Sequence, residues 1–163
     1  MNVLYFHGLN GSLSDEKRII LEKHFIVEAP QIDYENEDIN ALIERLSEHH
    51  RFDAIIGNSM GGYVGYHVAR NLSIPSLLFN PAIGERSIEI NFQPEELFGN
   101  HPAPIHIVIG KCDDVVKPSK SLEVILEDQQ NDAVFLSLHR NLEHRIDVET
   151  FKSEVERFCK ELL

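Results

Sequence analysis

The chain alternates between short apolar runs and longer stretches in which apolar residues recur every three or four positions. Apolar runs that are rich in β-branched residues and bounded by glycine, proline or polar residues are typical of strands buried on both faces of a sheet. Apolar residues at spacings of three and four indicate amphipathic helices. We therefore predict six strands, at residues 3–6, 25–30, 53–57, 75–79, 105–110 and 133–138.

Five helices are predicted between and after these strands. Ser14 is a suitable N-cap for the first helix, whose apolar positions fall at 19–21 and which extends to His24. The other helices are predicted at residues 35–50, 60–72, 119–128 and 148–163. The helix at 35–50 carries acidic residues in its first turn, where the helix dipole favours negative charge. Residues 83–103 combine weak periodicity with glycine and proline breakers, which predicts a loop with room for one helical turn.

The order of these elements predicts the fold class. Apolar strands that alternate with helices form a parallel sheet covered by helices on both faces. The expected fold is a doubly wound α/β structure, a three-layer α/β/α sandwich around a mostly parallel six-stranded sheet. No internal repeat or break in composition divides the 163 residues, so we expect one domain over residues 1–163.

Charge and composition narrow the classes of partner. Fifteen Lys and Arg residues stand against 27 Asp and Glu residues, and the net charge of −12 disfavours nucleic acid and anionic membranes as partners. No run approaches the roughly 18 apolar residues of a membrane helix, and the first residues lack the features of a signal peptide. Cys112 and Cys159 form neither a disulfide framework nor a CxxC motif. We expect a cytoplasmic protein; the sequence leaves its oligomeric state open.

Known cofactor and metal motifs do not match this chain. The sequence Gly8-Leu9-Asn10-Gly11 after the first strand differs from the G-x-G-x-x-G pattern of dinucleotide-binding proteins. No glycine-rich turn ends in the Gly-Lys-Ser/Thr of a Walker loop. The nine histidines show no HExxH pattern or Cys/His ligand spacing. We therefore expect a function that needs neither cofactor nor metal.

One stretch carries a specific chemical signal: Gly57-x-Ser59-x-Gly61-Gly62, between the third strand and the third helix. A serine on a tight turn between a strand and a helix, with glycines on either side, is the pattern of a nucleophile elbow. The glycines let neighbouring backbone approach closely, and the next amide, that of Met60, points to where an oxyanion would develop. Ser59 is therefore the candidate nucleophile.

The partners of Ser59 are expected in loops that follow strands, because reacting groups gather beyond the carboxyl ends of a parallel sheet. Three such loops contain suitable polar residues, at 7–11, 110–116 and 139–144. Their order, serine then aspartate then histidine, is the chain order of α/β-hydrolases. Spacing leaves both Asp113 and Asp114 as candidate acids, with Asp113 preferred. Among the histidines, His144 is preferred over His139 because it lies in a loop, free to reach the elbow.

On these motifs the chain resembles a small α/β-hydrolase and, within that superfamily, the short YqiA-like esterases. The matching segments span nearly the whole chain in the family order: His7-Gly8-x-Asn10-x-Ser12, the elbow through Tyr63, Asn80-Pro81-Ala82, Asp113-Asp114-Val115-Val116 and His144. The segment before the fifth strand is short. The resemblance therefore implies a minimal α/β-hydrolase fold without a large lid.

The resemblance also implies the roles of the site residues. Ser59 is the implied nucleophile, His144 the base that accepts its proton, and Asp113 the acid that orients the imidazole. The oxyanion hole is expected from the backbone amides of Leu9 and Met60. The implied activity is that of a carboxylesterase or thioesterase on a small-molecule ester with a small or medium acyl group.

Two other functions remain open from the sequence. The same fold could serve as a non-catalytic module that binds a ligand or a protein. Peptide or amide hydrolysis would use the same three residues, so the sequence does not separate it from ester hydrolysis. His7, which precedes the glycine of the first loop, is expected to orient backbone there rather than act as a base.

Overall fold

The computed structural model of the protein describes residues 1–94, 103–127 and 133–162. These residues form six strands and five helices: β1 (Asn2–Phe6), α1 (Asp15–Glu22), β2 (Ile26–Glu28), α2 (Ile39–His49), β3 (Ala54–Asn58), α3 (Met60–Leu72), β4 (Ser76–Phe79), β5 (Ile105–Gly110), α4 (Pro118–Glu127), β6 (Val134–His139) and α5 (Val148–Leu162).

The six strands form one parallel sheet in the order β2-β1-β3-β4-β5-β6. This confirms the predicted α/β class. The prediction was a mostly parallel sheet, and in the structure every pair of neighbouring strands is parallel. The register places Phe6 beside Gly57 and Asn58 beside Phe79. The carboxyl ends of the central strands therefore meet at one edge, and the loops that follow them share that edge.

Helices cover both faces of the sheet. Alternate strand residues such as Leu4, Ile55 and Leu78 pack in one core cluster with α2, α3 and α4. The residues between them, such as Val3 and Ile56, pack in a second cluster with α1 and α5. This alternation follows from the two-residue period of a strand, which sends successive side chains to opposite faces. The result is the predicted three-layer sandwich.

The boundaries of α2 differ from the prediction. The helix begins at Ile39 instead of residue 35, and Asp38 is its N-cap, whose carboxylate accepts a hydrogen bond from the Ala41 amide at 3.0 Å. The acidic residues before it lie in a turn in which the Glu37 amide donates to the Asp33 carbonyl at 2.8 Å. The predicted acidic first turn is therefore wrong, because Asp38 precedes the helix as its N-cap and does not belong to its first turn.

Other departures from the prediction are smaller. Strand β2 is limited to Ile26–Glu28, and α1 ends at Glu22, so His24 lies beyond it. Ser14 is the N-cap of α1, as predicted. In the predicted loop at 83–103, the described residues form no helix or strand, while 95–102, including His101, lie outside the described residues. The predicted helix ends at Asp128 and at residue 163 also lie outside them.

The longest described helix, α5, has 15 residues and a polar outer face. Within the described residues, no helix combines the length and the apolar character that crossing a membrane requires.

Candidate active site

Ser59 lies at the junction of β3 and α3 in a strained backbone conformation. Its φ of 54° and ψ of −115° fall where residues with a Cβ are rare. Its amide donates to the Phe79 carbonyl at 2.9 Å, and its carbonyl accepts from the amides of Tyr63 and Ala82, each at 3.0 Å. Strand β4 and the loop after it therefore hold the serine in this conformation. Such strain persists only where surrounding bonds impose it.

The glycines of the motif allow α3 to begin close against the sheet. A Cβ at Gly61 would collide with the carbonyl oxygens of Phe6 and His7 at the end of β1. A Cβ at Gly62 would lie 2.8 Å from the backbone of Pro81. The two glycines are thus required by close approach, which brings the loops after β1 and β4 to either side of Ser59.

Asp113 and His144 are brought together at the same edge of the sheet. His144 Nδ1 lies 2.8 Å from Asp113 Oδ2. The other oxygen of Asp113 accepts hydrogen bonds from the amides of Val115 and Val116, at 2.9 and 2.8 Å. Asp113 is buried, whereas Asp114 is exposed. A carboxylate only accepts hydrogen bonds, so His144 carries its proton on Nδ1 and its Nε2 is left as an acceptor.

Asn80 holds the loop that carries His144. Its side-chain amide donates to the carbonyls of Glu143 and His144, at 2.9 and 3.3 Å, while its Oδ1 accepts from the Gly110 amide at 2.7 Å. Its φ of 40° is in the left-handed region, which asparagine tolerates better than most residues. The sequence analysis used Asn80 only as part of a motif. An asparagine directly after a buried strand is the signal from which a special backbone position could have been predicted.

His139, the alternative to His144, is placed elsewhere. Its Nε2 lies 2.8 Å from Oε1 of the buried Glu154 on α5. Neither residue lines the cavity that contains Ser59. The structure therefore brings His144, and not His139, to Asp113.

The loop after β1 is fixed by His7, which is buried at the end of the strand. His7 Nε2 accepts from the Ile32 amide at 2.9 Å, so its Nδ1 carries the proton and donates to the Gly8 carbonyl at 2.7 Å. The Tyr34 hydroxyl donates to the His7 carbonyl at 2.8 Å. With both ring nitrogens engaged, His7 orients backbone and has no free nitrogen to serve as a base. The hydrogen bonds that Ile32 and Tyr34 make to His7 were not predicted from the sequence.

Ser59, His144, Leu9 and Met60 all line one cavity of about 650 Å³. A cavity of this size is within the range that holds small molecules. In the described part of the chain, the amides of Leu9 and Met60 donate to no other protein group, and Ser59 Oγ makes no hydrogen bond to the end of α3. These donors and this hydroxyl are therefore available to a bound molecule.

A metal centre is not found among the described residues, since no three of their His, Cys, Asp and Glu side chains are grouped as metal ligands. The chemistry that this edge of the sheet offers is that of a hydroxyl, an imidazole with a free nitrogen, a buried carboxylate and free amides.

Comparison with known families gives a match over nearly the whole chain. The model of the Uncharacterised protein family (UPF0227) matches residues 2–157. The chain belongs to this family, which is the YqiA-like family that the motifs indicated.

Solved structures of the same fold come from plants, archaea and bacteria. SOBER1 from Arabidopsis thaliana matches with a TM-score of 0.69 at 14% identity, over 99% of this chain and 98% of that one. The Pyrococcus furiosus esterase Pf2001 matches with a TM-score of 0.69 at 18% identity, over 98% and 82% of the two chains. XC6422 from Xanthomonas campestris, an α/β serine hydrolase without a lid, matches with a TM-score of 0.66 at 15% identity, over 99% and 82%. At these identities the likeness shows the fold, which is that of α/β-hydrolases.

Proposed function

We propose that this UPF0227 protein is a serine hydrolase that cleaves carboxylic esters through a covalent acyl-enzyme. The observation that carries the proposal is the convergence on one cavity of Ser59, of the free Nε2 side of a His144 held by Asp113, and of two free amides. The esterase and serine hydrolase names of structures with the same fold agree with it.

In the proposed first step, Ser59 Oγ attacks the carbonyl carbon of the ester while His144 Nε2 takes the hydroxyl proton. Asp113 remains a carboxylate and stabilises the imidazolium through its bond to Nδ1. The negative charge on the former carbonyl oxygen is stabilised by the amides of Leu9 and Met60. His144 then gives the proton to the departing alcohol, and the bond between carbonyl carbon and alcohol oxygen breaks.

The second step releases the acid. Water gives a proton to His144 Nε2 and attacks the acyl-enzyme, and the tetrahedral intermediate expels Ser59, which recovers the proton. One ester and one water thus yield one acid and one alcohol. A thioester follows the same route with a thiol as leaving group. This chemistry uses only the chain's own groups.

The compartment that we propose is the cytoplasm, because Cys112 and Cys159 are both free and a reducing compartment keeps thiols in that state.

The test is reaction with a fluorophosphonate probe, followed by turnover of p-nitrophenyl acetate and butyrate. We expect the wild-type protein to be labelled at Ser59 and to hydrolyse both esters. Ser59→Ala and His144→Ala should lose both properties while remaining folded by circular dichroism. Ser119→Ala, which changes an exposed serine on α4, is the matched control and should react like the wild type.

Absence of labelling in the folded wild-type protein would contradict the proposal, because an activated serine reacts with this probe. A protein that binds esters without cleaving them would then be the better description of the cavity.

A further inference from the structure

The cavity that contains Ser59 has a charge opposite to that of the whole protein. Four charged side chains line it, and three are cations: Lys17, Arg86 and Arg145, with Glu85 as the fourth. In the whole chain, acidic residues outnumber Lys and Arg by 27 to 15. Counting the His144 imidazole as neutral, the lining carries three positive charges and one negative charge, a net of about two positive charges.

The three cations reach the cavity from separate parts of the chain. Lys17 belongs to α1, Arg86 to the loop after β4, and Arg145 directly follows His144 in the loop after β6. The first helix lies on one side of the sheet edge, and the other two segments follow strands at that edge. Positive charge is therefore contributed by three separate segments of the lining, and not by one lysine- or arginine-rich segment.

These cations have no close acidic partner in the part of the protein that the structure describes. None of the three forms an ion pair within the described residues. The Arg86 guanidinium instead lies over the Tyr63 ring, 4.1 Å from its centroid, and makes no hydrogen bond among the described residues. The single acid, Glu85, has its carboxylate 3.7 Å from the Lys117 ammonium, so its charge is partly balanced outside the cavity.

Lys17 is also partly buried. Its ammonium lies 5.2 Å from the centroid of the Phe151 ring on α5, and burial lowers the pKa of Lys17, an effect that the charges of Asp147 and Glu16 oppose. The Asp147 carboxylate is occupied at the start of α5, where it accepts from the amide and hydroxyl of Thr150, both at 2.8 Å. A partly desolvated cation of this kind gains from an anion brought into the cavity.

We propose that the esters selected by this site carry an anionic oxyacid group, a carboxylate or a phosphate, which Arg86 and Arg145 bind while Lys17 adds to the positive field. Guanidinium groups match both oxyacids with paired hydrogen bonds. This inference rests on the proposed hydrolase function and specifies its substrate class. It also explains how an acidic protein admits an anionic substrate: the favourable field is confined to the cavity.

The test compares esters that differ only in charge. On the acyl side, p-nitrophenyl hydrogen adipate carries a free carboxylate and methyl p-nitrophenyl adipate is its neutral partner. On the alcohol side, 3-acetoxybenzoate is compared with its methyl ester. We expect kcat/KM to be at least about tenfold higher for the anionic member of one pair, as for a charge-assisted hydrogen bond. The pair that shows the preference identifies the side of the ester that bears the anion.

Variants then assign the preference to residues. Arg86→Gln and Arg145→Gln should each lower the ratio of anionic to neutral kcat/KM by about tenfold, and Lys17→Gln by a smaller factor. Lys152→Gln, which removes an exposed positive charge on α5, should keep the wild-type ratio at the same ionic strength. Inhibition of neutral ester hydrolysis by free adipate and by inorganic phosphate shows which oxyacid binds more tightly. Thermal unfolding of each variant verifies that it is folded.

The outcomes separate this inference from the function on which it rests. Labelling of Ser59 and turnover of the neutral esters, with no anionic preference and no change in the ratio for the arginine variants, would overturn the inference and leave the hydrolase intact. Loss of labelling and of turnover for all four esters would overturn both. An anionic preference that disappears in the arginine variants but not in Lys152→Gln supports the inference.

Discussion

Among the residues that the structure describes, two histidine–carboxylate pairs have the same separation in different settings. His144 and Asp113 meet at the carboxyl edge of the sheet, and His139 and Glu154 meet between β6 and α5, each pair at 2.8 Å. In the first pair the carboxylate engages Nδ1, and the other side of the ring belongs to the cavity with Ser59. In the second it engages Nε2, and Glu154 also contacts Arg157.

Under the proposed function, this difference means that a close histidine–carboxylate pair is not by itself a catalytic arrangement. A general base needs a free nitrogen that faces the group it deprotonates, and a carboxylate that fixes the opposite nitrogen. Of these two pairs, only that of His144 has its carboxylate on Nδ1 and its ring on the cavity that contains Ser59. The pair formed by His139 ties the last strand to the last helix, which is a structural role.

The largest difference between the two pairs is expected when each imidazole is removed in turn. His144→Ala should lower kcat for p-nitrophenyl butyrate on the order of 10⁵-fold, since the serine loses its base. His139→Ala should change kcat by less than about threefold and cost roughly 1 kcal/mol of stability. Steady-state kinetics and urea unfolding measure the two effects. Equal losses of activity in the two variants would refute the distinction.

The two acids should differ in the same way. Asp113→Asn should lower kcat by about 10⁴-fold, because an amide can impose the wrong tautomer on His144. Asp114→Asn, one residue further along and exposed, is the matched control and should retain activity.

Glu154→Gln is the corresponding change in the second pair. It should leave kcat close to the wild-type value but lower the free energy of unfolding by about 1–2 kcal/mol. The reason is that His139 and Arg157, which are partly exposed, lose their buried carboxylate partner. An Asp113→Asn protein as active as the Asp114→Asn protein would contradict the role given to Asp113.

The comparison between the two pairs also predicts a role for Asn80. His139 is held by the strand that it ends, whereas His144 lies in a loop that depends on the Asn80 side chain. Asn80→Gly tolerates the positive φ but loses all three hydrogen bonds, and should lower kcat by 10- to 100-fold, roughly the loss expected from misplacing a catalytic group. Asn80→Asp keeps an acceptor for the Gly110 amide but sets a carboxylate against two carbonyls. If both variants retain the wild-type kcat, His144 is positioned without Asn80.

The smallest predicted effect concerns a third histidine, His106 on β5, whose Nε2 lies 3.1 Å from Glu161 of α5. Burial lowers the pKa of His106 from its ordinary value of 6.5, and Glu161 only partly opposes this. The unfolded chain then binds more protons than the folded one as pH falls below about 6.5, so His106 destabilises the fold in that range.

His106→Gln, which cannot titrate, should reduce the loss of stability between pH 7 and pH 5 measured by urea unfolding. His24→Gln changes an exposed histidine and should leave the wild-type slope. An unchanged slope in His106→Gln would show that burial does not lower the pKa of this imidazole.

The fold was predictable because its signals are local and repeated. Each buried strand is a short apolar run, and the alternation with helices sets the class. The first residue of α2 was harder to predict, because Glu37 and Asp38 suit both a first turn and a cap. The hydrogen bonds of the preceding turn decide between the two. The family and its order of motifs were also readable, since the elbow has a strict pattern of glycines around Ser59.

The site was predictable only in its outline. Spacing left Asp113 and Asp114 open with Asp113 preferred, and position in a loop favoured His144. The structure brings Asp113 and His144 together, and their catalytic roles remain predictions. The contacts of Asn80 with residues 143–144, or of His7 with Ile32, join positions far apart in the sequence and have no local signal. The same holds for the positive lining, because Lys17, Arg86 and Arg145 are unremarkable singly and only the fold collects them.

The strained backbone of Ser59 has a consequence for the timing of folding. Its conformation depends on the carbonyl of Phe79 and the amide of Ala82. The acid and base that would activate it, Asp113 and His144, follow later in the chain, 31 residues apart. If Ser59 is the nucleophile, as proposed, it becomes reactive only after β4 has joined the sheet and the loop with His144 has docked. During synthesis, a nascent chain that does not yet include His144 would not hold an activated serine. In refolding, fluorophosphonate labelling should lag behind the recovery of helical circular dichroism, and so serve as a clock for the final step.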